Sequence, residues 1–140
     1  MKSSEIITPE GNIAQYTIDN NNELNLIFSH ANGFNGRVYN SLLHKINNNY
    51  NIHSYDMRGH GDTTLKANPK NLKSWYSFRD DLLSVIENFK TPVVLSGHSM
   101  GATASLLLAL HKPELVKKLI LIEPVILPLR YIISYRLLQF

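Results

Sequence analysis

Ser99 is the side chain whose surroundings most strongly suggest chemistry. It stands in Gly97-His98-Ser99-Met100-Gly101, a G-x-S-x-G pattern. An apolar run over residues 93–96 enters the pattern with strand character. A second apolar segment, residues 100–111, leaves it with helical character. A strand that turns at once into a helix raises a serine hydroxyl at the turn, where it can act as a nucleophile. Side chains at 97 and 101 would collide with the adjoining strand or helix, which gives both glycines a steric purpose. The same turn sets Ser99 at a helix N-terminus, where free N–H groups and the positive dipole end favour developing negative charge. The N–H of Met100 is the first candidate donor to an oxyanion. A helix-capping serine is the plainer alternative, but a cap alone does not need both glycines.

A serine hydroxyl is a weak nucleophile without a base. The chain has six histidines. His98 neighbours Ser99, but successive side chains point apart, so it is a poor base. His44 and His111 fall in helices, and His53 and His60 read as loop or surface residues. His30 is expected to brace the loop in which it lies. No histidine follows His111, and no Asp or Glu follows Glu123.

An oxyanion site also needs a donor from a second element. The small, glycine-bearing stretch "HANGFNG", residues 30–36, follows an apolar strand and can turn its backbone toward a ligand. "DMRGHG" (residues 56–61) and "EPV" (residues 123–125) also follow predicted strands. The elements that must position these loops are legible from period and punctuation. Strands are expected over residues 13–18, 24–29, 51–56, 93–96 and 117–124. Helices are expected over 38–46, with apolar residues at 38, 42, 43 and 46, over 72–89 and over 100–111, the last buried nearly all round. Asparagine-rich runs at 19–24 and 46–51 read as turns. Strands without clean alternation are covered on both faces, which predicts a predominantly parallel sheet with helices on both faces. Ligands on such sheets bind at the carboxyl ends of strands, and all four loops fall there.

Together, "HANGF", "RGHG" and "GHSMG" resemble the N-terminal part of an α/β-hydrolase. The resemblance implies an incomplete α/β-hydrolase core over residues 1–126. It implies the start of a lid over residues 127–140, within "VILPLRYIISYRLLQF" (residues 125–140). It also implies acyl transfer: ester, thioester or amide hydrolysis with Ser99 as nucleophile and the N–H groups of Asn32 and Met100 as the oxyanion hole. Gly97 and Gly101 shape the turn, and His30, Gly33, Asp56 and Arg58 shape the loops, with Asp56 and Arg58 bonding loop backbone. Ala31 stands where the family more often has glycine. Glu123 ends the strand after the nucleophile helix, where a few branches of the family carry the triad acid. The triad order serine, acid, histidine leaves this chain without its histidine. The expectation is therefore a truncated serine hydrolase, with a catalytically inactive, ligand- or partner-binding remnant as the alternative.

Bulk composition narrows the remaining choices. The chain is 140 residues long with net charge +3, 44% hydrophobic and 18% charged residues, enough for one domain. Basic and acidic residues are interleaved, so no nucleic-acid footprint is expected. There is no cysteine, no metal cluster and no phosphate-cradling loop, so no cofactor and no metal are implied. The start lacks an apolar signal region, and the charges and prolines between 119 and 138 argue against a membrane span. A cytoplasmic chain acting on a small acyl substrate is expected, with self-association through the apolar C-terminal segment.

Overall fold

The computed structural model describes residues 1–68, 70, 72 and 74–126. The expected lid over 127–140, and the self-association assigned to it, lie outside the described residues. The ordered elements are β1 (Lys2–Thr8), β2 (Gly11–Ile18), β3 (Asn25–Ser29), α1 (Asn40–Ile46), β4 (Asn51–Tyr55), α2 (Tyr76–Ile86), β5 (Val93–His98), α3 (Met100–His111) and β6 (Val116–Ile122). They form one six-stranded sheet in the order β1-β2-β4-β3-β5-β6.

Strands β4, β3, β5 and β6 are mutually parallel. Strands β1 and β2 add an antiparallel margin to this set, because β2 runs against β4 and β1 against β2. The sequence gives no forecast of β1. Its residues are mostly exposed on both faces, so an edge strand of this kind carries no apolar period. Backbone pairing with β2 makes it a strand.

Helices cover both faces. Alternate residues of β3, β4 and β5 divide between two cores. Ile27, Tyr55 and Leu95 pack with Leu82, Val85 and Ile86 of α2 and with Met100, Ala104 and Leu108 of α3. Leu26, Phe28, Ile52 and Val94 pack on the opposite face with Leu43 of α1. Thus the helix that follows β3 and the helix that follows β5 leave in opposite directions. The carboxyl ends of two such adjacent strands are the usual ligand position of these sheets.

Three elements differ in burial from their sequence patterns. In α1 only Leu43 is buried, while Val38, Leu42 and Ile46 of the same apolar set are 55%, 45% and 38% exposed. Strand β6, apolar enough to suggest burial on both faces, has no fully buried residue. It is the last strand of the sheet, and no described element lies beyond it. His53 lies within β4 rather than in a loop, with its ring 4.9 Å from that of Phe89. No helix among the described residues is long and apolar enough to cross a membrane.

Burial pushes the His53 imidazole down to about 4. Its ring nitrogens meet Thr17 Oγ1 and Asn25 Oδ1, each at 3.2 Å. The unfolded chain therefore takes up a proton near the ordinary histidine value, about 6.5, while the folded chain does not until about pH 4. Stability present above that ordinary value is lost as pH falls through this window. Melting temperature is expected to fall between pH 6.5 and 5 more steeply for the wild type than for His53→Asn. Parallel curves for the two proteins would remove His53 as the cause.

Candidate active site

Sheet register brings the chemistry-bearing loops together. Ser29 pairs with Gly97 and with Tyr55, and His98 pairs with Ile122. Residues 30–36, 56–63, 99 and 123–125 therefore leave the sheet along one edge.

At Ser99 the chain turns from β5 directly into α3. Its backbone has φ 51° and ψ −112°, a region that costs a non-glycine residue about 1–3 kcal/mol and persists only where its surroundings impose it. Two bonds impose it here. Ser99 N–H donates to Ile122 O at 2.9 Å, and Ser99 O accepts from Thr103 N–H at 3.1 Å. Ser99 occupies the N-cap position of α3, but its hydroxyl makes no capping bond. Thr103 also holds the chain beyond β6, since its Oγ1 accepts Val125 N–H at 2.9 Å.

The two glycines serve different contacts. A Cβ at Gly97 would lie 2.5 Å from the carbonyl carbon of Gly101, against the start of α3. A Cβ at Gly101 would overlap the carbonyls of Ser29 and His30, at the exit of β3. Gly101 thus lets the first turn of α3 press against the entrance of the 30–36 loop. The N–H of Met100 heads α3, and the N–H of Asn32 lies in the adjoining loop. Among the described residues neither N–H donates a hydrogen bond.

The 30–36 loop is bonded mainly to the 56–62 loop. His30 is fully buried. Its Nδ1 lies 2.7 Å from Ala31 O, and its Nε2 accepts Met57 N–H at 2.9 Å. This pattern places the proton on Nδ1, and burial lowers the imidazole below its usual value, so the ring is neutral. Asp56 accepts from Gly36 N–H, Asp62 N–H and the Tyr16 hydroxyl, each at 2.7 Å. Gly33, at φ 77°, donates its N–H to His60 Nε2 at 3.2 Å.

Arg58 departs from the expected backbone bonding. Its Nε and Nη2 donate to the two oxygens of Asp81 in α2, each at 2.7 Å, and Nη2 also reaches Glu10. The Arg58 guanidinium is held above its ordinary value chiefly by its bond to Asp81, while burial pushes the Asp81 carboxyl up. Sequence offers one signal for this fork: Asp81 sits beside Leu82 on the inward stripe of α2, where a carboxylate needs a cation. Both side chains are nearly buried, at 12% and 8% exposure. Asp81→Ala strands the guanidinium and is expected to lower unfolding free energy by about 3 kcal/mol. A smaller loss in Arg58→Met/Asp81→Leu, measured by urea denaturation, would identify the cost as that of the unpaired charge.

All six histidines lie among the described residues, and none is bonded to the Ser99 hydroxyl. His98 points its Nδ1 to the Tyr39 hydroxyl at 2.8 Å and its Nε2 to Glu123 Oε2 at 3.7 Å. Glu123, at φ 48°, is largely exposed and touches His98 rather than Ser99. His60 binds Arg58 O, Gly33 N–H and Asn32. No three His, Asp or Glu side chains among the described residues converge as metal ligands.

A family model described as serine aminopeptidase, S33, matches residues 21–139. The chain is 26% identical over 100 residues to an (E)-2-((N-methylformamido)methylene)succinate hydrolase of Acinetobacter baylyi, covering 71% of this chain and 37% of that one. It is 27% identical over 99 residues to a 2-(acetamidomethylene)succinate hydrolase of Mesorhizobium japonicum, covering 70% and 34%. Among solved structures, a hydrolase from Pseudomonas aeruginosa superposes with a TM-score of 0.81 at 20% identity, over 98% of this chain and 52% of that one. The thioesterase domain from the curacin biosynthetic pathway gives 0.79 at 21% identity, over 99% and 53%. The chain spans about half the length of these structures and about a third of the curated relatives.

Proposed function

Because the chain belongs to the serine aminopeptidase S33 family of α/β-hydrolases, a family of hydrolases, we propose that it carries the nucleophile and oxyanion donors of an acyl-transfer site. The Ser99 hydroxyl attacks a carbonyl carbon of an ester, thioester or amide and gives its proton to a base. The carbonyl oxygen becomes an oxyanion received by the N–H groups of Asn32 and Met100. Collapse of the tetrahedral species expels the alcohol, thiol or amine with a proton. Water then releases the acid and frees Ser99. Small acyl compounds are the proposed substrate class, in keeping with the amide-bearing succinates named for the two curated relatives.

The observation that carries this proposal is the strained, uncapped serine between β5 and α3. Among the described residues no histidine bonds that serine, which leaves the place of the base open to an added one. Free imidazole is the probe for that role. A fluorophosphonate offered with imidazole is expected to modify Ser99, with a rate that rises with imidazole concentration. Mass mapping that finds the label spread over other serines, or absent from Ser99, would overturn the proposal.

The same lack of a bonded histidine favours a second function, a remnant of the fold that binds a ligand or partner without turnover. It predicts ester hydrolysis no faster than that of Ser99→Ala, with or without imidazole. Imidazole-dependent hydrolysis that requires Ser99 would eliminate it.

A further inference from the structure

The sheet fixes Ser29 beside Gly97, but its pairing ends there. Beyond it, the 30–36 loop and the nucleophile turn must hold their spacing by other means. Most bonds of that loop run to residues 56–60: His30 to Met57, Gly33 to His60, Gly36 to Asp56. One bridge reaches the nucleophile turn. The Tyr39 hydroxyl accepts Ala31 N–H at 3.3 Å and lies 2.8 Å from His98 Nδ1. Among the described residues, no other hydrogen bond joins residues 30–39 to residues 97–101.

We propose that Tyr39 is a positioning residue of the acyl-transfer site, holding the oxyanion loop at a fixed distance from the nucleophile turn through this shared hydroxyl. The inference rests on the function proposed above. Ala31 immediately precedes Asn32, and His98 immediately precedes Ser99. One oxygen therefore grips the residue before each of two groups assigned to the reaction. The hydroxyl accepts from Ala31 N–H, and its second polar contact is His98 Nδ1, in a ring whose Nε2 lies 3.7 Å from the Glu123 carboxylate. Burial raises the tyrosine above its usual value, which keeps the hydroxyl protonated. The ring is held independently, 4.6 Å from Phe28 and 5.9 Å from Phe34, so it keeps its place when the hydroxyl is removed. A displaced oxyanion donor loses transition-state stabilisation while ground-state binding persists.

Tyr39→Phe deletes the hydroxyl and keeps the packing. In imidazole-assisted fluorophosphonate labelling of the full chain, its maximal rate at Ser99 is expected to fall about tenfold, as both contacts of the positioning hydroxyl are lost, with half-saturation unchanged. His98→Leu cuts the other end of the bridge, and Tyr39→Phe/His98→Leu should be no slower than the slower single variant. A second readout does not depend on reactivity. In Tyr39→Phe the Ala31 amide should exchange with deuterium at least about tenfold faster, and the His98 Nδ1 nitrogen resonance should move. Ser99-specific labelling that is equally fast in Tyr39→Phe overturns the positioning role. Unchanged Ala31 exchange with an unmoved His98 resonance overturns the bridge itself. Failure of the wild type to label at Ser99 would sink the acyl-transfer proposal and the positioning role with it, while the amide and nitrogen signals still decide the bridge.

Discussion

Ser99→Ala is expected to abolish fluorophosphonate modification and the part of any ester turnover that depends on the serine, while leaving the melting temperature within a few degrees of wild type. Alanine keeps the Cβ, so the positive φ of 51° at the turn and its backbone cost are unchanged. The hydroxyl makes no bond to α3, so no capping interaction is lost with it. What disappears is the oxygen proposed to form the new bond to phosphorus or carbon. The remaining N–H donors cannot replace a nucleophile, although donors of this kind alone retain a residual acceleration of about 10³–10⁴ over water in related sites. The comparison separates chemistry from folding because the two readouts are predicted to diverge. Equal labelling of wild type and variant would remove Ser99 from the mechanism.

Gly101→Ala is expected to impair both the site and the fold. The added methyl group would overlap the carbonyls of Ser29 and His30. These are backbone atoms at the end of a central strand and cannot rotate away as a flexible side chain would. Either α3 lifts from β3 or the 30–36 loop is driven outward. Overpacking of this kind costs about 1–3 kcal/mol or more. A displacement of about 1 Å between nucleophile and oxyanion donors costs about 100-fold in rate. Urea denaturation and Ser99 labelling should therefore both respond. Gly33→Ala is the contrasting variant, because a Cβ there meets nothing within 4 Å and only its φ of 77° is strained. A Gly101→Ala protein as stable and as reactive as wild type would show that α3 does not need this close approach.

Much of the site's framework was legible because it rests on local rules. Glycine at 97 and 101 around a serine, between a strand run and a helix run, specifies a cramped turn. The helix Met100–His111 appears with the predicted bounds. The loops expected at the carboxyl ends of β3, β4, β5 and β6 do share one edge, because parallel strands fix that edge together. The inventory of six histidines also told in advance that none follows residue 111.

What the sequence determined by itself was the set of short-range elements and the chemical kinds available to them, since hydrophobic period, turn residues and steric need act within a few positions. Tertiary structure alone decided the antiparallel margin formed by β1 and β2, because an exposed edge strand is made by its partner's backbone and carries no pattern of its own. It alone brought Arg58 to Asp81 across 23 positions and Tyr39 to His98 across 59. Such pairs leave no local mark. Each is a polar group whose need for a partner can be read along the chain, while the identity of that partner is fixed only when the packed sheet and its helices bring distant residues within 3 Å.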